Sequence, residues 1–349
     1  MPKVETKSLI QKPTAPRELW VDALRGLAVI GMVWTHCANT FLTAELQQTK
    51  WFDRLVFYHG LIAPTFFWVA GLMRGRSLGR SNPARPAVFR LLSILGLGYL
   101  LHTPWDSLSR LDFGHETWRI WLQMDVLQCL AVSGFVIMLV ERCGKWAMAL
   151  ALLLMAFFIG FREPLDEVQT GWTVVDAMLN RKSGSLFPLF PWVAFGLAGF
   201  IAGALRQALG QQGHWWLWQW LLPGFVLAVS METLPGAFTT LTFFLQRLGW
   251  VLMFAGTLTG AWPWVERIGG PSAQRLVLLA GRRSLTAYVS HLIIIYSLPL
   301  WSGKPLAQSI GLSCGLPMVI SLFATVLVIT LWLCWLLEHK GAKKERHPS

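Results

Sequence analysis

The first strongly apolar segment, WVDALRGLAVIGMVWTHCANTF, carries three ionisable residues at helical spacing: Asp22, Arg25 and His36. Arg25 and His36 are eleven residues apart, so in a helix both side chains share one face and lie roughly 16 Å apart along the axis. Asp22 precedes Arg25 by one turn and can pair with it. Such a face suits an elongated anionic ligand, with a phosphate at the arginine and a reactive end at the histidine. The alternative is an ion pair at the inner membrane surface and a histidine that is hydrogen-bonded to a neighbouring helix.

Two further apolar segments carry polar residues. The late segment GRRSLTAYVSHLIIIYSLP places Ser284, Tyr288 and His291 on one side of a helix. The segment WLQMDVLQCLAVSG contains Asp125 and Gln128. Polar and charged groups within hydrocarbon are costly and commonly functional, so all five are candidates for substrate binding. A hydrogen bond between helices is the alternative for His291.

An unpaired carboxylate at Asp125 would be costly, so a cationic or hydrogen-bonding partner is expected for it. Arg247 in a later apolar segment is one candidate partner and a further candidate for substrate binding. His59, in FYHGLIAPTFFWVAGLMRG, lies close to the outer mouth of the second segment. Three other histidines, at segment ends or in loops, are expected to have no special role: His102, His115 and His214.

The chemistry available to these residues is general acid–base chemistry. No two histidines have the His-x-x-x-His spacing of a helical metal site, and the sequence has no phosphate-binding glycine loop and no nucleophile elbow. We therefore predict neither a metal site nor a tightly bound cofactor. Histidine, aspartate and arginine within a helix bundle favour group transfer assisted by a general base.

The composition identifies the elements that must position these residues. Of 349 residues, 54 % are apolar and only 14 % are charged, and the mean hydropathy is +0.49. A soluble protein has about a quarter of its residues charged. The apolar residues also fall into blocks of about twenty, the length of a membrane-spanning helix. A soluble enzyme, a nucleic-acid-binding protein and a disordered chain are therefore excluded.

The sequence predicts an all-α, polytopic membrane helix bundle. Ten spans are expected, at about 20–42, 57–74, 87–103, 118–140, 146–161, 186–205, 215–231, 238–261, 276–300 and 310–337. Residues 20–337 would form the membrane domain, between a cytoplasmic N-terminal tail (1–19) and a basic cytoplasmic C-terminal tail (338–349).

The distribution of cationic residues supports this topology. With both termini in the cytoplasm, 20 of the 30 lysines and arginines fall on inner segments and eight on outer loops. Cytoplasmic loops retain positive charge, so this bias favours an even number of spans. The longest outer loop, about 162–185, is expected to be a solvated connection; the alternative is that its acidic residues reach toward a substrate.

At these motifs the sequence resembles a known family. VDALRGLAVIGMVWTH resembles the start of membrane acyltransferases of the heparan-α-glucosaminide N-acetyltransferase-like group. Arg25, followed after ten residues by His36, also matches the wider transmembrane acyltransferase superfamily. Four more motifs follow in the family's order over about residues 17–300: APTFFWVAGLMRG, MDVLQCLA, SLFPLFPWVAFGLAGFIAG and GRRSLTAYVSHLIIIY.

The resemblance implies a bundle of ten or eleven helices that takes an acyl group from cytoplasmic acyl-CoA, typically acetyl-CoA, as co-substrate. The group passes to a hydroxyl or amine of a glycan or glycolipid at the outer face. By motif, Arg25 would engage the donor, Asp22 would orient Arg25, His36 would be the general base and His291 would line the same cavity. In the animal lysosomal members the catalytic histidine stands after the first helix, so His59 is the second candidate base.

The sequence is also compatible with two other functions. A multi-pass transporter of a small anionic or sugar substrate would use Asp125, Arg247 and His291 as its pathway, but the sequence lacks the internal repeats common in transporters. A non-catalytic scaffold would leave the buried charges unexplained. The expected partners are the lipid bilayer, acyl-CoA and a glycan or glycolipid acceptor, with a possible homodimer and no nucleic acid. The expected location is the plasma membrane, which is the inner membrane in a Gram-negative bacterium.

Overall fold

The computed structural model describes residues 18–79, 84–104, 109–111, 114–209, 217–233, 239–268, 270–298 and 303–346. Over these residues the fold is helical, with one isolated β-bridge between Leu42 and Cys314. The prediction of an all-α chain is therefore confirmed. Most of the predicted N-terminal tail, and His214, lie outside the described residues.

Ten helices make up the first part of the described chain. They are α1 (Leu19–Phe41), α2 (Ala44–Gln47), α3 (Lys50–His59), α4 (Ile62–Gly75), α5 (Ala84–Leu101), α6 (His115–Trp121), α7 (Val126–Arg142), α8 (Ala147–Gly160), α9 (Arg162–Asp166) and α10 (Thr173–Leu179). A 3-10 turn, Gly144–Trp146, joins α7 to α8.

Seven α-helices and two π-helical turns follow. The helices are α11 (Leu189–Leu209), α12 (Leu222–Thr233), α13 (Thr240–Ile268), α14 (Pro271–Arg282), α15 (Ser284–Leu292), α16 (Leu306–Ile310) and α17 (Leu316–Arg346). The π-helical turns are Leu217–Leu221, before α12, and Ile293–Ser297, after α15.

Several of these helices are long and apolar enough to cross a membrane, which makes this an integral membrane protein. Among the described residues five helical stretches qualify: Lys50–Gly75, Ala84–Leu101, Leu189–Leu209, Thr240–Arg267 and Leu316–Lys340. The bent pair of α6 and α7 counts as a sixth if it is one span. Helices overlap each of the ten predicted segments, but the count of ten and the cytoplasmic position of the termini remain predictions.

The fourth and ninth predicted spans are interrupted, which corrects the expectation of continuous helices there. The fourth segment breaks at residues 122–125, where α6 and α7 are bent by 64°. Asp125 stands at this break and not within a helix, and its carboxylate accepts a hydrogen bond from the Val126 N–H at 2.7 Å. The ninth segment breaks at Arg283, between α14 and α15. Near its end the helix changes to the π-helical turn Ile293–Ser297.

Close backbone packing holds the helices of the core together. Gly71 of α4 faces the carbonyl of Gly196 on α11, and Gly199 of α11 faces the carbonyl of Trp68 on α4. In the same way Gly26 of α1 packs on the Val277 carbonyl of α14. Glycines allow such approaches because a side chain at these positions would occupy the place of the neighbouring carbonyl.

An ion-pair cluster fixes the start of α1. Glu18, immediately before α1, contacts Arg76 at 2.8 Å and Arg206 at 3.4 Å, which joins this end of α1 to the ends of α4 and α11. The Arg206 guanidinium also lies over the rings of Trp20 and Trp220. The register of α1 against its neighbours is therefore fixed by ion pairs and by contacts between a guanidinium and aromatic rings.

We predict that Gly199→Ala lowers the free energy of unfolding in detergent by about 1–3 kcal/mol, because its methyl group would overlap the Trp68 carbonyl. The matched control is Gly96→Ala on α5, where an added Cβ meets no atom within 4 Å. This control is expected to be neutral or slightly stabilising. Thermal unfolding of both purified variants checks the difference, and equal midpoints would contradict the packing described.

Candidate functional site

A cavity of about 320 Å³ lies between α1, α4, α5, α7 and α15. Its walls are mainly apolar, with a few polar groups, which is the usual character of a small-molecule site. The polar lining residues are Thr35, His36, His59, Arg90, Asp125, Ser284 and Tyr288. The structure thus brings five of the ten predicted site residues to one cavity: His36, His59, Asp125, Ser284 and Tyr288.

The polar groups of the cavity lie at two levels. Arg90 is in the second turn of α5, and Ser284 is the first residue of α15. Asp125 contacts His102 at the far end of α5, at 3.8 Å. His102 directly follows α5 and is twelve residues after Arg90, which corresponds to about 18 Å along the helix axis. The cavity therefore extends from an arginine at one level toward a carboxylate and histidines at the other.

His36 is the centre of a group of rings at the second level. Its ring centroid lies 5.0 Å from that of His291, and its Nδ1 atom lies 3.1 Å from the Tyr296 hydroxyl. Because Nδ1 faces Tyr296, Nε2 is the ring nitrogen that remains for a bound molecule. The imidazole is thus held on one edge, while the residue lines the cavity.

His291 is fully buried behind His36. Its Nδ1 atom is 2.7 Å from the Ala287 carbonyl oxygen, and since a carbonyl only accepts, Nδ1 carries the proton. Nε2 is then an acceptor, and it is buried with no hydrogen-bond partner among the described atoms. His291 does not line the cavity. Its ring packs against that of His36, which does.

His59 is the last residue of α3, just before the break that separates α3 from α4. Both ring nitrogens are buried and have no hydrogen-bond partner within the described part of the chain. The ring packs edge-on against Phe52, with centroids 6.3 Å apart, and interacts electrostatically with His36. Two candidate bases therefore line the same cavity.

A partner was expected for the Asp125 carboxylate, and in the structure this partner is His102 and not Arg247. Asp125 also interacts with the Tyr288 hydroxyl and caps α7. The proposed Asp125–Arg247 pair is wrong: the Arg247 guanidinium stacks on Phe243 at 3.8 Å and does not line the cavity. His102, for which no special role is expected from the sequence, thus contacts the carboxylate at the break before α7.

Gln128 and Arg25 do not line the cavity either. Gln128 is fully buried and packs against Gly98 of α5. Arg25 pairs with Asp22 at 3.3 Å, which confirms the pair expected from their spacing. Arg25 lies seven residues before the first α1 residue of the cavity, Met32, or about 10 Å along the helix.

Sequence reasoning missed several residues of the site. Arg90 is one of the 20 cationic residues expected on inner segments and was not a candidate for the site, yet it lines the cavity. Tyr296 and Phe187 carried no helical spacing that related them to His36 or Asp125. Phe187 reaches the cavity because its N–H donates to the Met124 carbonyl at 3.0 Å, at the break before α7.

The 162–185 loop is ordered by its own hydrogen bonds. The Thr170 N–H and hydroxyl donate to Asp176 at 2.7 and 2.8 Å. The backbone hydrogen bond from Thr170 holds the pKa of Asp176 below its usual range. Asp176 is thus used in closing the loop, while the residues that follow the loop, Leu186 and Phe187, form part of the wall of the cavity.

Within the described residues, no cluster of histidine, cysteine and carboxylate side chains has the geometry to hold a metal ion.

Comparison with known proteins adds one match. Residues 17–235, more than half of the chain, match the sequence model of the family described as "Heparan-alpha-glucosaminide N-acetyltransferase, catalytic". The matched range contains His36, His59, Arg90 and Asp125 and ends before α15. No curated protein matches the chain in sequence.

We predict that Asp125→Ala destabilises the protein by about 1 kcal/mol, because α7 loses the oxygen that caps its first N–H. Asp125→Asn keeps a capping oxygen and is expected to stay within a few tenths of a kcal/mol of the unaltered chain. The measurement is thermal unfolding of the two variants side by side in detergent. Identical losses in both would show that the cap is not the stabilising contact.

Proposed function

Because the chain belongs to the heparan-α-glucosaminide N-acetyltransferase family, whose members are membrane acetyltransferases that use acetyl-CoA, we propose that it moves an acetyl group across a membrane. The donor is cytoplasmic acetyl-CoA, and the acceptor is an amine or hydroxyl of a sugar on a glycan or glycolipid at the outer face. The proposed setting is the plasma membrane, with ten spans and both termini in the cytoplasm.

The observation that carries this proposal is the shape and lining of the cavity. Arg90 lies at one level, and His36, His59 and Asp125 lie at the other, with about 18 Å of α5 between the two levels. This distance is comparable to the length of a pantetheine arm. A donor phosphate at Arg90 would therefore leave the thioester near the histidines.

The proposed reaction is direct transfer from the thioester. The acceptor nitrogen or oxygen attacks the carbonyl carbon of the acetyl group, and the bond from that carbon to sulfur breaks. His36 Nε2 takes the proton of the acceptor and returns it to the CoA sulfur. A neutral imidazole suits this role because histidine exchanges protons near neutral pH.

The remaining predicted residues have supporting roles in this proposal. Ser284 and Tyr288 line the path of the pantetheine arm. Asp22 orients Arg25, which lies below the cavity at the start of α1 and would contact the nucleotide part of the donor. The α1 glycine Gly26 serves helix packing, since it faces the Val277 carbonyl.

We predict that His36→Ala reduces acetyl transfer about 10²- to 10⁴-fold, the usual contribution of a general base. His59→Ala is expected to lose less, because His59 would shape the acceptor site and not carry the proton. The control is His339→Ala on α17, an exposed histidine that stacks on Trp335. Transfer from radiolabelled acetyl-CoA to an α-glucosaminide is measured for all three.

The losses of transfer in His36→Ala and His59→Ala together decide which histidine is the base. A larger loss in His59→Ala than in His36→Ala would make His59 the base. Unchanged transfer in His36→Ala would remove His36 from the mechanism. Uptake of the glycan into sealed vesicles without any acyl donor would instead favour a transporter.

We predict that Arg90→Gln raises the KM for acetyl-CoA about tenfold, the minimum expected for a lost hydrogen bond between charged groups. Arg85→Gln, one and a half turns earlier on α5 and outside the cavity lining, is the matched control. Arg25→Gln is measured beside them. A higher KM in Arg25→Gln but not in Arg90→Gln would make Arg25 the phosphate contact.

A further inference from the structure

A π-helical turn brings an extra side chain to His36. Residues Ile293–Ser297 form this turn, and the Leu298 N–H donates to the Ile293 carbonyl five residues back, at 2.7 Å. In an α-helix, side chains five residues apart point about 140° away from each other. In a π-helix the wider i→i+5 turn brings them back toward one face. His291 and Tyr296, five residues apart, consequently both pack on His36, with ring centroids at 5.0 and 5.7 Å.

Tyr296 links His36 to a second residue of α1. Its hydroxyl lies 3.1 Å from His36 Nδ1 and 2.8 Å from Thr40 Oγ1. Thr40 follows His36 by one helical turn. Elsewhere on α1, the Thr35 hydroxyl donates to a carbonyl of its own helix, that of Gly31, at 2.8 Å. Thr40 instead directs its hydroxyl to a side chain on another element.

We propose that Tyr296 and Thr40 are positioning residues that select the tautomer of His36. The Nδ1–H of His36 donates to the Tyr296 oxygen, and the Tyr296 hydroxyl donates to Thr40 Oγ1. Nε2 then carries the lone pair of the ring, on a residue that lines the cavity. This inference rests on the proposed function, in which His36 Nε2 accepts the proton of the acceptor.

The direction of these hydrogen bonds decides whether His36 is a base. If the Tyr296 hydroxyl donated to Nδ1, the ring proton would lie on Nε2, and Nε2 would be a donor and not an acceptor. In the inferred direction Thr40 Oγ1 accepts the phenol proton, which leaves the Tyr296 oxygen to accept from the Nδ1–H of His36. The bond from Nδ1 to Tyr296 also persists when Nε2 is protonated, so the imidazolium formed during transfer keeps its partner. Groups that orient a metal-binding histidine in this way commonly contribute about 10- to 100-fold, and we expect a contribution of the same size for His36.

The test is a set of substitutions at Thr40 and Tyr296, with kcat and the KM for acetyl-CoA measured in each. Thr40→Val is expected to lower kcat about 10- to 100-fold with KM unchanged, because Tyr296 would then donate to Nδ1. Thr40→Ser keeps the hydroxyl and is expected to restore transfer. The matched control is Thr325→Val, an exposed residue of α17 whose hydroxyl donates to the Ser321 carbonyl of its own helix.

The double variant is the sharpest measurement in the set. Tyr296→Phe removes the phenol, so the wrong tautomer is no longer imposed, and its loss should be smaller than that of Thr40→Val. Thr40→Val combined with Tyr296→Phe is therefore expected to recover to the level of Tyr296→Phe alone. A double variant as slow as Thr40→Val, or a Thr40→Val variant as fast as the unaltered chain, would overturn the inference.

A measurement independent of activity separates this inference from the proposed function. In protein labelled with ¹⁵N-histidine, the signals lost in His36→Gln identify His36. An unprotonated Nε2 and a protonated Nδ1 are expected, with the two exchanged in Thr40→Val. The same tautomer in both proteins, or a protonated Nε2 in the unaltered chain, would overturn the inference whether or not acetyl is transferred. Absence of transfer together with the expected signals would overturn only the proposed function.

Discussion

The cost of placing polar groups in hydrocarbon decides where the functional side chains of this protein lie. The clearest case is Asp125, whose carboxylate is used three times: it caps α7, contacts His102 and interacts with Tyr288. These contacts require the break before α7, and the break in turn admits Phe187 to the wall of the cavity. One satisfied carboxylate thus joins α5, α7 and α15 around the site.

The same constraint separates structural charges from those that face the cavity. Glu18, Arg76 and Arg206 form a cluster that fixes the start of α1 against α4 and α11. Arg90 and His36 instead line the cavity. The close glycine contacts between α4 and α11 lie outside it. Tight packing on one side of α4 therefore leaves its other side, with Ile62 and Phe66, to form part of the cavity.

Local spacing along the sequence predicted contacts within a single helix, whereas contacts between helices depend on long-range packing and were not predicted. The Asp22–Arg25 pair follows from the three-residue spacing, and the family motifs correctly identified the acetyltransferase family. The partner of Asp125 could not be predicted, because the α6–α7 bend that brings His102 to it depends on tertiary contacts. Tyr296 was missed because α-helical periodicity places it on the wrong face, and only the π-helical turn corrects this.

The central claim is that one cavity connects a donor at the cytoplasmic face with an acceptor at the outer face, past His36. The most direct measurement uses sealed inside-out vesicles that contain the purified protein, with radiolabelled acetyl-CoA outside and an α-glucosaminide trapped inside. The account predicts labelled glycan in the vesicle interior while acetyl-CoA stays outside. Label confined to glycan supplied on the same side as acetyl-CoA would contradict it.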